Sequence, residues 1–170
     1  MMTMNQQPQN PLIGQHINTI LQAILNRNLS VLHQAGFDDI RPAHLSIFRN
    51  LVPHGLHISE LANRAGITKA SVTYLVDYLQ ERRYVERVPD ANDGRAALVQ
   101  FSERGWSAYH VAWTAVQHLQ EEWAQLVGQK EMDNFIDTLT YLANHVSETE
   151  QAEPNIEQGP RLRGRRHTGL

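Results

Sequence analysis

Between residues 57 and 101 the sequence changes its periodicity twice, and the order of the changes leaves few folds open. "ISELANRAG" reads as a helix of about two turns ended by Gly66. After a short turn, "ITKASVTYLVDYLQ" places Val72, Leu75, Val76 and Leu79 at i, i+3, i+4 and i+7, the stripe of a helix laid on a core. "YVERV" then alternates, "PDANDGR" gathers Pro, Asn, Asp and Gly into a turn, and "AALVQF" returns as a second strand, so a β-hairpin closes the series. Short helix, turn, amphipathic helix and hairpin, in that order, make a winged helix-turn-helix.

Helical spacing continues on both sides. Residues 12–35 carry Ile13, Ile17, Ile20, Ile24 and Leu25 and close at "AGF" near Gly36, while "RPAHLSIFRNLV" puts Pro42 at a helix start with Leu45, Phe48 and Leu51 facing a core. Ser102 is a good N-cap for a helix reaching Gly128, and a last helix carries Phe135, Leu139, Leu142 and Val146. The expected fold is mainly α with a small β-hairpin wing, a winged helix-turn-helix lobe plus a helical dimerisation region formed by the N- and C-terminal helices. The expected boundaries are a disordered N-terminus over 1–11 and a single domain over 12–147. Within that domain, 12–35 and 130–147 are dimerisation helices, 42–101 the winged lobe and 102–128 a long connecting helix. A disordered tail follows over 148–170, Arg-rich at its end. The stripes of 12–35 and 130–147 exceed what a lobe of this size can cover, so they should pair across a two-fold axis.

Composition and charge exclude several classes. At 170 residues with 41% hydrophobic content the chain can bury one sizeable core. It has no apolar run long enough to span a bilayer, and "MMTMNQQPQNP" lacks the parts of a signal peptide, so a cytoplasmic protein is expected, away from membranes. With no cysteine, disulfides, thiolate ligands and cysteine nucleophiles are excluded. Charge is uneven: Lys plus Arg against Asp plus Glu runs 7 to 7 over residues 57–104, 1 to 9 over 105–160 and 4 to 0 over 161–170. Phosphates would be repelled by the 105–160 stretch and met through the middle segment or the Arg-rich end.

The face of the second helix opposite its core stripe begins with Thr68, Lys69, Ala70, Ser71, Thr73 and Tyr74. Such side chains suit base edges and phosphates in a major groove, and Ala70 allows close backbone approach. Asp77, one turn on, should repel phosphate and limit entry to the first two turns. At the hairpin tip Arg95 fits a narrow minor groove, with Asp93 holding the wing's shape.

The stretch "ISELANRAGITKASVTYLVDYLQERRYVERVPDANDGRAALVQFSERG" resembles the DNA-binding core of the multiple-antibiotic-resistance-regulator (MarR) family of transcription factors. "SELA", "SVT" and the pattern Asp93, Arg95, Gly105 carry the likeness, which extends over about residues 12–147. The resemblance implies a homodimer with interlocking first and last helices, two lobes reading a palindrome in double-stranded DNA, and often a small-molecule site between lobe and dimer region. A repressor is the expected role. Four departures stand out: Arg83 where the family usually has Gly, Tyr74 where Arg is common, His57 where Thr usually caps, and "FS" for "LT".

In that family the effector cavity lies against the first two helices, which points to Trp106, Tyr109, His110 and Trp113, with His33 and His44, as pocket residues for a planar aromatic or phenolic anion; no other cofactor is implied. Packing these rings into core is the simpler alternative. Nine histidines raise a metal-responsive alternative through His33, His44 and His110, but no two are spaced i, i+4 as in a helical chelate. A winged-helix protein-interaction module is the other alternative, since the middle segment carries no net charge. An enzyme is not expected: there is no Gly-rich phosphate loop, nucleophile elbow or HExxH helix.

Overall fold

The computed structural model describes residues 12–91 and 96–152, with residues 147–152 as backbone only. Its elements are α1 (Ile13–Gln34), a single 3-10 turn (Pro42–His44) leading into α2 (Leu45–Asn50), α3 (Ile58–Ala65), α4 (Lys69–Glu81), β1 (Val85–Pro89), β2 (Ala97–Phe101), α5 (Glu103–Val127) and α6 (Gln129–Ala152). The chain divides into two compact units within α5, between Glu122 and Trp123.

The first unit holds the winged lobe. All four stripe residues of α4 are buried, and Leu61 of α3 and Val99 of β2 are completely so. At roughly 1.5–3 kcal/mol for each large apolar side chain removed from water, this cluster is what holds the lobe closed. The strands pair antiparallel with Val85 opposite Phe101 and Pro89 opposite Ala97. Leu56 adds a stub of a third strand, exchanging backbone hydrogen bonds of 3.0 and 2.8 Å with Val99. A buried knot then ties the lobe to α5. The fully buried Tyr84 donates its hydroxyl to Asp39 at 2.5 Å, while Arg104 reaches the same hydroxyl at 2.9 Å with its guanidinium over the ring. Burial, reinforced by the Asp39 carboxylate, pushes the Tyr84 phenol well above its ordinary pKa and keeps it protonated as a donor.

Two local features explain sequence choices. A Cβ on Gly105 would lie 1.8 Å from the Tyr84 carbonyl oxygen, so the first turn of α5 packs on the α4–β1 junction only because that residue has no side chain. Ser102 caps the same turn: its Oγ accepts the Gly105 N–H at 3.1 Å. At the end of α4 the chain turns back through a left-handed residue, with Tyr84 N–H bonded to Leu79 O at 2.8 Å and Arg83 N–H to Gln80 O at 2.9 Å. That residue is Arg83, at φ 60°, and it is the one positive-φ residue other than glycine among those described.

The second unit carries the end of α5 and all of α6, which runs five residues past the expected boundary at 147, to Ala152. "SETEQA" contains no glycine or proline to stop it; Pro154 comes only later. Met132 is buried, but Phe135, Tyr141, Leu142 and Val146 are exposed. The first unit shows the same at the start of α1, where Leu12, Ile13 and Ile17 face outward.

Candidate nucleic-acid interface and cavity

Thr68 caps α4. Its Oγ1 accepts the Ser71 N–H at 3.1 Å and lies 2.9 Å from Ser71 Oγ. Thr73 donates its hydroxyl to the Lys69 carbonyl at 2.9 Å. Most hydroxyl capacity on this face therefore serves the helix: Thr73 Oγ1 can still accept, and the Thr68–Ser71 pair can still donate once. Lys69, Ala70, Ser71, Thr73 and Tyr74 are all exposed, and Tyr74 is 72% so. Lys69 has no ion-pair partner among the described residues.

Asp77 is less of an obstacle than its position in the sequence implies. Arg87 of β1 reaches its carboxylate at 2.6 Å and also bonds Gln80, so the acid is neutralised and α4 is clipped to the wing strand. Sequence reasoning missed Arg87 because strand-to-helix pairing has no local spacing. Asp93 and Arg95 lie outside the described residues. The wing's root is described: Asp90 N–H bonds Ala96 O at 3.1 Å, and the His57 ring meets Asp90 Oδ2 at 3.0 Å and Ala97 O at 3.2 Å. His57 thus fixes the hairpin to the start of α3, a task a threonine cap could not reach. Its own N–H is covered by Glu60 Oε2 at 3.0 Å.

Between α1, α2 and α5 lies a cavity of about 230 Å³. Its walls are apolar, from Ile24 and Leu25 of α1, Phe48 of α2, and Tyr109 and Trp113 of α5, whose rings stack 6.2 Å apart. Two polar side chains enter it, Asn28 and Arg49. Asn28 Oδ1 is buried and has no hydrogen-bond donor among the described residues.

Of six expected pocket residues, Tyr109 and Trp113 line this cavity and four do not. The cavity face of α5 is Tyr109, Ala112, Trp113 and Val116, at i, i+3, i+4 and i+7, which leaves His110 off the stripe and Trp106 two turns above Trp113. Trp106 packs edge-on against Phe101 at 5.1 Å. His110 lies with Arg27 and His118 along a separate groove. His33 Nε2 bonds the Ile40 carbonyl at 2.8 Å, bracing the loop after α1. His44 is buried, stacked on Tyr78 at 4.2 Å, and accepts the Arg41 N–H at 3.0 Å through Nδ1. Burial, helped by Arg82 and Arg41, holds its pKa below the usual 6.5, consistent with a neutral acceptor ring. Among the described residues no three His, Cys, Asp or Glu side chains come close enough to share a metal ion. Asn28 and Arg49 were not among the expected residues; the one available signal was an asparagine four residues from both Ile24 and Leu32, on the apolar stripe of α1.

Helix, turn, capped second helix and hairpin define the first unit as a winged helix-turn-helix. Residues 38–96 match the model of the MarR family. The chain is 27% identical over 74 residues to the "Exopolysaccharide II synthesis transcriptional activator ExpG" of Rhizobium meliloti; the match takes in 44% of this chain and spans 38% of that relative's length. Among solved structures it is similar to NadR in complex with 4-hydroxyphenylacetate, at 24% identity with a TM-score of 0.63, covering 82% of this chain and 98% of that one. It is also similar to the transcriptional repressor CouR bound to a 23-mer DNA duplex, at 20% identity with a TM-score of 0.60, covering 78% and 92%. At those identities the likeness concerns the fold.

Proposed function

We propose that the protein is a transcriptional regulator that binds a palindromic DNA operator as a homodimer, in the cytoplasm, with its DNA affinity set by a small aromatic guest in the α1–α2–α5 cavity. The carrying observation is the start of α4: an unpaired Lys69 and an exposed Tyr74 project from a capped helix end whose nearest acid, Asp77, is neutralised from the wing. That face can enter a groove without repulsion. The described apolar faces of α1 and of α6 are surfaces for a second copy, and Lys69 is the phosphate contact. CouR, with its DNA duplex, supports the partner, and NadR, with its phenolic acid, supports the class of guest. The role we assign is repression, by occupying the operator; ExpG bears the name of an activator, so a reporter gene behind the operator decides the sign.

Selection of bound duplexes from a random pool tests the reading. A two-fold palindrome with half-sites about one helical turn apart, roughly 10 base pairs, is expected. No enriched sequence, or binding that scarcely weakens with salt, would instead describe a protein-interaction module.

A further inference from the structure

The outermost line of α4 is apolar over the two turns that would meet a base. Ala70, Tyr74 and Asp77 lie at i, i+4 and i+7, opposite the buried Val72, Leu75, Val76 and Leu79. Asp77 is taken by Arg87. What remains at the crest is a methyl group and an aromatic ring, the residue that bears the ring being 72% exposed. The hydroxyls beside them are engaged within the helix, Thr68 with Ser71, and Thr73 as a donor to the Lys69 carbonyl. No arginine, asparagine or glutamine, the side chains that fork onto a guanine or adenine edge, occurs among residues 68–75. Lys69 stands about 100° round the helix from Ala70, on the flank that suits a phosphate.

The major groove offers one apolar feature to such a crest, the C5 methyl of thymine. We infer that α4 reads its half-site through thymine methyls packed on Ala70 Cβ and on the Tyr74 ring, with Tyr74 the specificity-determining residue. This inference rests on α4 entering a major groove. Thr73 favours the same base pair from the side. Its proton is already given to the Lys69 carbonyl, so its oxygen accepts from the amino group of adenine or cytosine and has nothing to offer the two acceptors of guanine.

Fluorescence-anisotropy titration of the full chain tests it, using the duplex selected from the random pool with each thymine replaced in turn by deoxyuridine, which pairs identically and lacks only the methyl. At one or two positions in each half-site the replacement should weaken wild-type binding about fourfold, the transfer value of one buried methyl. In Tyr74→Ala the penalty should vanish at one of those positions, whereas Tyr74→Phe, which keeps the ring, should keep it. If no deoxyuridine weakens wild-type binding, or if every penalty persists in Tyr74→Ala, the inference is overturned while DNA binding stands. The same holds if Tyr74→Phe loses affinity equally on the selected and a scrambled duplex, as a phenol bound to phosphate would. If the pool yields no enriched duplex, the DNA reading itself fails and takes the inference with it.

Discussion

The winged lobe and the outer helices are built from the same periodic stripes, and they end differently. In the lobe the stripe of α4 is buried on Leu61, Tyr84 and Val99, and the charges around it are paired: Asp77 with Arg87, and Asp39 within reach of Arg82 and Arg104. On α1 and α6 stripes of equal regularity leave Ile13, Ile17, Tyr141, Leu142 and Val146 in solvent. The difference teaches that helical periodicity marks a face for burial without saying by what. The lobe supplies its own cover; in the proposed dimer the outer helices take theirs from the second copy.

That contrast can be broken by substitution. Leu61→Ala, inside the finished core, should cost about 2–5 kcal/mol and lower the thermal midpoint without any dependence on protein concentration. Leu142→Glu, on the unfinished face, should leave the lobe folded but yield monomers by light scattering, and should weaken operator binding by about 10²-fold or more as two linked lobes become independent. A Leu142→Glu protein that remained dimeric would show that α6 is not the dimer surface. At the wing, Arg95→Ala should lower operator affinity by about tenfold, most on A·T-rich flanks; equal losses on operator and scrambled duplex would place Arg95 outside sequence reading.

Smaller effects sharpen the picture of the lobe itself. Arg83 holds a left-handed conformation that costs a side-chain-bearing residue roughly 1–2 kcal/mol, so Arg83→Gly should raise the urea midpoint, and no change would mean that the arginine repays the strain by contacts. His44 has a pKa below 6.5 when folded, so the unfolded chain binds a proton that the native one refuses. Its contribution is absent above about pH 6.5 and stability falls as pH is lowered from there through the folded pKa. His44→Gln keeps an acceptor for the Arg41 N–H and should flatten that acid slope. Identical slopes in the two proteins would remove His44 from the explanation.

Sequence showed the lobe well because its parts are local: the α4 stripe, the Ser102 cap and the turn-rich hairpin each declare themselves within a few residues. Gly105 was visible as part of the wing pattern, though its reason, the Tyr84 carbonyl at its α-carbon, is a contact across 21 positions of chain. The cavity was legible only by half. Tyr109 and Trp113 share a helical face, and helical spacing finds such pairs. His44, one turn of chain from the cavity residue Phe48, is turned away by stacking on Tyr78, which no spacing encodes. Asn28 escaped because, after Asn26 and Arg27, it reads as surface, and only the burial of its Oδ1 shows otherwise.

In the proposed complex, two winged lobes on one dimer read DNA through the start of α4. Sedimentation of the protein with its selected duplex, across a salt series and beside Lys69→Ala, tests it most directly. Two chains per duplex are expected, with affinity falling steeply with salt and a salt slope lower by about one unit in Lys69→Ala at unchanged sequence preference. One chain per duplex, or a Lys69→Ala protein that keeps the slope and changes only the preferred sequence, would contradict it.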